Sequence, residues 1–267
     1  MTVSGPLRKM KTSLTDGVAH YWLRLGDQEV EMNALIGKNI SLTWSGVINC
    51  IRCGRVTKKS FAQGYCYPCF RDAPETESCI LRPETCQAHE GISRDMEWSK
   101  NHCLQDHYVY FAVSSGLKVG VTRATQIPTR WIDQGADRAI IVARTPNRFT
   151  AGTIEVALKK HFNDKTNWRR MLTNNVDMLI DLLQERDKLK RLLGDEHRIY
   201  LEQDFEIMKL SYPVEVYPEK VKSNNFEKTK TIAGQLTGIK GQYLFFDHSN
   251  VINIRAQGGY NVDLSWN

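Results

Sequence analysis

The sequence predicts an α+β protein built from a cysteine-bearing zinc module, a small three-stranded antiparallel sheet with flanking helices, and a terminal β-rich part resembling a small barrel. Three observations carry that expectation. Short alternating apolar–polar runs, punctuated by glycine, occupy both ends of the chain. All seven cysteines fall between Cys50 and Cys103. Three strand-like runs in the middle are followed by apolar residues at helical spacing.

Taken in order, Tyr21–Leu25 and Ile40–Trp44 alternate as half-buried strands do, with Gly26-Asp27 and Gly37-Lys38 as turns. Tyr108–Val113, Leu117–Thr122 and Ala139–Arg144 are the central strands, and Ser114-Ser115-Gly116 joins the first two as a tight hairpin. Residues 151–162 read as a helix from the spacing of Ile154, Ala157, Leu158 and Phe162. A longer helix is expected from about Asn175 to Leu193, with Gly194 where a left-handed cap would sit and Glu185–Arg191 as a solvated, salt-bridged face. Residues 211–230 are loop-like, with Pro213, Pro218 and Ser223-Asn224-Asn225. From Thr231 short strands return between Gly234, Gly238, Gly241 and Gly258-Gly259, suggesting a small barrel with the N-terminal strands as candidate partners. The expected division is 1–49, 50–107, 108–205 and 206–267.

At 267 residues the chain is long enough for one large domain or two to three small ones. No apolar run approaches the roughly 20 residues of a membrane span. Met1–Asp16 is polar and lacks the apolar core of a secretory signal, so a cytoplasmic, non-membrane protein is expected. The formal net charge of +6 favours polyanions such as nucleic acid. An odd number of clustered cysteines suits metal ligation better than a disulfide framework.

Cys50-Ile-Arg-Cys53 and Cys66-Tyr-Pro-Cys69 are two C-x-x-C pairs separated by twelve residues. Two intervening residues let a tight knuckle point both sulfurs at one ion, and two knuckles complete a tetrahedral thiolate shell. With four thiolates and no open position, that zinc would be structural. Arg52, Arg55, Lys58 and Lys59 surround it, either to touch phosphate or to be solvated. Cys79, Cys86, His89 and Cys103 form a candidate second zinc site, in which His102 could replace Cys103 and His107 lies near. The alternative is three free cysteines with surface histidines.

The stretch Tyr108-Val109-Tyr110, then Lys118-Val119-Gly120, Arg130 and Glu155 resembles the GIY-YIG endonuclease superfamily in motif order, hairpin length and element type. The resemblance covers about one fifth of the chain. It implies a three-stranded antiparallel sheet flanked by helices, and phosphodiester cleavage with one Mg²⁺ or Mn²⁺ held by Glu155. By the same resemblance Arg130 would pair with phosphate, Tyr110 would orient or activate the water, and Gly120 would let substrate approach. Asn167 would stand at the position of the family's Asn. The second motif normally begins with a tyrosine, and here Lys118 replaces it. A charged lysine can bind phosphate but is a poor default base, which puts retained cleavage in question. As a whole, the chain also resembles an uncharacterised bacterial family of unknown function. Its cysteine pairs, the Leu117–Gly135 stretch and the Gly238-Ile-Lys-Gly241 run carry that likeness.

The expectation is therefore a zinc-stabilised, nucleic-acid-binding protein with a nuclease-like centre at Tyr110, Lys118, Gly120, Arg130, Glu155 and Asn167. Lys58, Lys59, Arg123, Trp131 and Lys240 are candidate contacts to DNA or RNA. The plainer alternatives are Tyr110 and Trp131 as core aromatics, Arg130 as a solvated helix residue, Lys240 as an ordinary surface group and Glu155 as a salt-bridge partner. The competing functional readings are a non-catalytic RNA- or DNA-binding module in a larger assembly, and a protein–protein scaffold built on zinc.

Overall fold

Val18–Leu25 alternates without interruption, and Ala19, Tyr21, Leu23 and Leu25 are all fully buried, so this strand gives one face to a core and the other to solvent. The same period recurs through both chain ends in the computed structural model, which describes residues 1–162 and 165–267. In chain order the strands are β1 (Thr2–Thr15), β2 (Val18–Leu25), β3 (Gln28–Glu31), β4 (Asn39–Asn49), β5 (Val56–Thr57), β6 (His107–Val113) and β7 (Leu117–Arg123). They continue with β8 (Arg138–Thr145), β9 (Met208–Lys209), β10 (Lys222–Asn224), β11 (Thr231–Lys240), β12 (Tyr243–Phe246), β13 (Asn250–Asn253) and β14 (Tyr260–Trp266). The helices are α1 (Tyr67–Asp72), α2 (Met96–His102), α3 (Thr129–Asp133), α4 (Arg148–Leu158), α5 (Trp168–Leu172), α6 (Leu182–Asp187), α7 (Leu189–Leu192) and α8 (Asp195–Arg198).

The chain divides into two units. The first comprises Met1–Arg71, Leu172–Asn174 and Ser211–Asn267, and the second Asp72–Met171 and Asn175–Leu210. In the first unit the two chain ends share one sheet in the order β10-β13-β12-β11-β4-β14-β1-β2-β3, with β5 added beside β4. β1 pairs with β14 through Thr2–Pro6 and with β2 from Leu7 onward, with a register shift between Arg8 and Lys11 that lets one strand serve both neighbours. β11 changes partner in the same way, from β4 to β12. Among the described residues the order ends at β10 and β3, so the expected barrel-like closure does not form. The sheet is large and open, because those outer strands are short, three and four residues, and do not pair with each other.

The second unit carries an antiparallel sheet in the order β7-β6-β8-β9. The expected three strands are present, and the two-residue β9 pairs with β8 through Arg138↔Lys209 and Ala139↔Met208. The hairpin turns at Ser114–Gly116, with Val113 opposite Leu117. β6 is buried almost throughout, as a strand covered on both faces must be. Ala151, Ile154 and Leu158 of α4 join Val109, Phe111 and Val119 in the core of this unit, a three-and-four spacing that gives the helix one apolar stripe.

Two helical expectations are corrected. α4 begins at Arg148, not 151, because the Asn147 side chain accepts the Thr150 N–H at 2.9 Å and caps the helix there. The long helix expected over Asn175–Leu193 is not formed: helix covers only α6 and α7. Arg138 donates to the carbonyls of Asp177 and Ile180, which a helix would need for its own ladder. Asp181 then starts α6 by accepting from Leu183 N and Gln184 N. Gly194 is not a left-handed cap; at φ −70°, ψ 166° it precedes α8.

Gly152 is the glycine that fold geometry requires in α4. A Cβ there would lie 2.2 Å from Glu84 N and 2.4 Å from the Pro83 carbonyl carbon, backbone atoms that cannot rotate aside. Gly152→Ala is therefore expected to destabilise the protein by about 1–3 kcal/mol through overpacking, although alanine favours helix by about 1 kcal/mol. Denaturant unfolding of the two proteins measures the difference.

Candidate functional site

Cys50 is the residue that directly follows β4, and Gly54 at φ +73° closes the knuckle by returning its N–H to the Cys50 carbonyl at 2.9 Å. Cys66 precedes α1 and Cys69 lies within it, so the second knuckle is the start of a helix. The four sulfurs lie within 4.8 Å of one another, and Cys53 and Cys66 Sγ are 3.8 Å apart. A tetrahedral zinc with sulfurs at about 2.3 Å sets its sulfurs about 3.8 Å from each other, so the residues fit the ion. Burial pushes the Cys50 thiol up, but the N–H groups of Cys53, Cys66 and Arg52 more than offset this and bring it down to about 6. Cys69 is pushed up to about 12 by burial and by the neighbouring sulfurs. Crowded thiolates repel in this way, and a central dication removes the repulsion.

The surface of this knuckle mixes aromatic and basic groups. Arg55, Lys58 and Lys59 are basic side chains on it, Arg52 lies within the knuckle itself, and Tyr67 and Phe70 are exposed. Phe61 packs between the latter two at 5.6 and 5.7 Å between ring centres, with Lys59 Nζ 5.5 Å above its ring.

In the second unit Cys79, Cys86 and Cys103 bring three buried sulfurs within 4.8 Å of one another, a set that could also hold zinc. Cys79 lies in a short 3-10 turn at Ser78–Ile80, Cys86 directly follows another at Pro83–Thr85, and Cys103 ends α2. Hydrogen bonds among the three sulfurs raise the Cys79 and Cys86 thiols and lower Cys103, which is the first of the three to ionise. His89 lies outside the set: its ring stacks on Phe149 at 4.4 Å. His102 stacks on Trp98 at 3.9 Å with Nδ1 2.8 Å from the Trp98 carbonyl. His107 is buried, its Nδ1 is 2.7 Å from the Gln105 carbonyl, and burial pushes its imidazole down to about 4.

On the sheet of the same unit, Tyr110 sits opposite Gly120, and Lys118 two residues earlier shares the Gly120 face of β7. The Tyr110 ring lies over the glycine so closely that a Cβ at 120 would be 2.6 Å from the phenol oxygen. That hydroxyl donates to Gln134 Oε1 at 3.0 Å. The Arg130 guanidinium has its pKa raised first by the Tyr110 phenol, against burial that lowers it, with Asp133 and Glu155 adding. Glu155 is nearly buried and pairs with Lys159 at 3.2 Å. Tyr110 thus touches both Gly120 and Arg130, with Glu155 within electrostatic reach of Arg130. Asn167 serves the backbone instead, because its Oδ1 accepts the Arg170 N–H at 3.2 Å and caps α5.

Burial corrects Lys240 as a contact to nucleic acid and agrees with the core alternative for Trp131. Lys240 is fully buried, with Nζ 3.2 Å from Asn174 Oδ1 and near the Tyr212 and Tyr217 rings at 5.1 and 5.2 Å, so it offers no charge to a phosphate outside. Trp131 is a core side chain, 6.0 Å edge-on from Tyr110, and has no face for a base. Lys58 and Lys59 are exposed, and Arg123 is half-buried.

Sequence reasoning missed Arg148. This buried side chain donates to the carbonyls of Cys79 at 3.2 Å and His102 at 3.0 Å, and its own backbone N–H reaches Cys103 O at 2.8 Å. Its position just after a capping asparagine was the available signal, but nothing local tied it to cysteines more than 40 residues away.

These features define an α+β protein with two cysteine clusters suited to zinc and a buried polar group on a small antiparallel sheet. Residues 37–262 match the family model described as "Protein of unknown function (DUF2797)", and the chain belongs to that family. No curated protein and no solved structure matches it. No helix among the described residues is long and apolar enough to cross a membrane.

Cys50→Ser should lower bound zinc by one equivalent relative to wild type, read by elemental analysis of purified protein. Gly120→Ala should displace the Tyr110 ring and cost about 1–3 kcal/mol. Combining it with Tyr110→Ala should restore part of that loss, read as a double-mutant cycle.

Proposed function

We propose that this is a zinc-stabilised nucleic-acid-binding protein whose second unit carries a GIY-YIG-like site for divalent-metal-dependent phosphodiester cleavage. The observation that carries the reading is the grouping of Tyr110, Gly120, Arg130 and Glu155, four residues that fall on two strands and two helices in the order the resemblance requires. In this reading Arg130 binds the phosphate through its planar fork. Tyr110, oriented by Gln134, positions the attacking water, and Lys118 adds positive charge on the same strand face as Gly120. Glu155 would hold one Mg²⁺ or Mn²⁺, which when bound supplies Lewis-acid stabilisation of the leaving oxygen. A single carboxylate can hold one hard cation that keeps several waters, and Lys159 must release it when the cation arrives.

The non-catalytic reading also has a specific support. Tyr110 is fully buried and Glu155 is held by Lys159, an arrangement that serves structure as well as chemistry. The basic and aromatic surface of the first zinc knuckle suits a nucleic acid by charge and stacking, with no need of turnover.

A panel of single-stranded, duplex and branched DNA and RNA, incubated with Mg²⁺ or Mn²⁺, separates the two. The cleavage reading expects turnover by wild type and a loss of at least about 100-fold in Glu155→Ala. Equal rates in both proteins, or silence from both, would remove it. Binding by either reading is expected to weaken with salt, and Lys58→Glu with Lys59→Glu should lower the log–log salt slope by about 2. An unchanged slope would detach the knuckle from nucleic acid.

A further inference from the structure

The second cysteine cluster differs from the first in more than its count of sulfurs. Among the described residues no fourth His, Cys, Asp or Glu offers a ligand atom within 4.8 Å of all three. All three cysteines line one cavity of about 70 Å³, which Glu77 and Ser99 also line. That is more room than a single water needs. Glu77 Oε2 is buried in its wall with no hydrogen-bond partner among the described residues, and a buried carboxylate oxygen is costly unless something donates to it.

Charge points the same way. Arg148 is buried beside the cluster, its side chain donates to two backbone carbonyls, and no carboxylate lies in ion-pair range of it among the described residues. A buried guanidinium needs a compensating negative charge. Three thiolates around a dication leave one negative charge, which Arg148 cancels. A fourth thiolate would add a second negative charge to the cluster, whereas a neutral ligand adds none.

The geometry points to a second metal ion held by Cys79, Cys86 and Cys103 alone, its fourth position facing the cavity and taken by an exchangeable water or small donor. This departs from the four-ligand shell with His89 that the sequence suggests. His89 stacks on Phe149, and its Nε2 is 3.8 Å from Glu90 Oε1. A metal with three protein ligands and one open position is the arrangement of chemically active zinc, unlike the closed four-sulfur shell of the first site. Glu77 lines the same cavity. The proposal is independent of cleavage at Glu155, which lies outside this cluster.

Cadmium-113 NMR on the full chain tests it, because cadmium couples to the protons of its own ligands. Two signals are expected. One should couple to the β-protons of Cys50, Cys53, Cys66 and Cys69 and ignore added imidazole or azide. The other should couple only to Cys79, Cys86 and Cys103 and move as one of those probes is titrated. His89→Ala should leave both signals and the bound cadmium unchanged. A coupling to a ring proton of His89, His102 or His107 would overturn the proposal. So would a second signal that neither probe moves, or a single bound cadmium.

Discussion

β4 is hydrogen-bonded on both sides, to β11 through Thr231↔Thr43 to Gln235↔Asn39 and to β14 from Tyr260↔Ile48 to Trp266↔Ile40. A central strand of that kind has no freedom to slide, because a one-residue slip would turn Ile40 and Leu42 out of the core. Cys50 follows its last residue, so the first sulfur inherits the register of the whole sheet. The remaining knuckle is light on core: Ile51, Val56, Phe61, Tyr65, Tyr67 and Phe70 are all partly or well exposed. What holds it is the backbone pairing of Ile51 N to Gly64 O, the β5 strand, and the crowding of four sulfurs that a dication resolves. Metal and sheet would therefore depend on one another: the strand positions the first ligand, and an ion held there would close a segment too small to fold by burial alone.

α4 has the corresponding place in the second unit. Ala151, Ile154 and Leu158 form its apolar stripe, while Arg148, Gly152, Glu155 and Lys159 fall at four-and-three spacing along another. Arg148 holds the carbonyls of Cys79 and His102, and Gly152 admits the Pro83–Glu84 backbone at contact distance. The cysteine-bearing turns thus lie along the same stripe of the helix that presents Glu155. Losing the second cluster would loosen the covering of that stripe before it touched the sheet.

Much of this was legible in the chain because it is local. Two residues between cysteines, a three-residue turn between strands and strict alternation in β2 are short-range constraints, and each left its mark in sequence. The errors share a cause at longer range. The 175–193 helix had the right periodicity, but Arg138, about forty residues earlier, takes its carbonyls. Lys240 read as a surface group by residue type, yet a lysine between Tyr212, Tyr217 and Asn174 is satisfied inside the fold. The barrel expectation followed from glycine spacing, which marks bends but not whether the outermost strands meet.

Tyr110 and Gly120 illustrate why a motif alone underdetermines chemistry. The glycine is required by packing, since the tyrosine ring occupies the space of its Cβ. The tyrosine in turn is required to hold Gln134 and to face Arg130. A strand pair of this kind would persist for structural reasons in a protein that cleaves nothing, and it would serve equally well as the rigid floor of a site that does. What separates the two is the carboxylate. A structural Glu155 needs only its charge partner Lys159, and a glutamine that keeps a hydrogen bond replaces it at modest cost. A metal-binding Glu155 cannot be replaced by an uncharged amide without losing the cation's strongest ligand. The response to substitution of that one side chain, and not the motif surrounding it, separates a structural carboxylate from a metal-binding one.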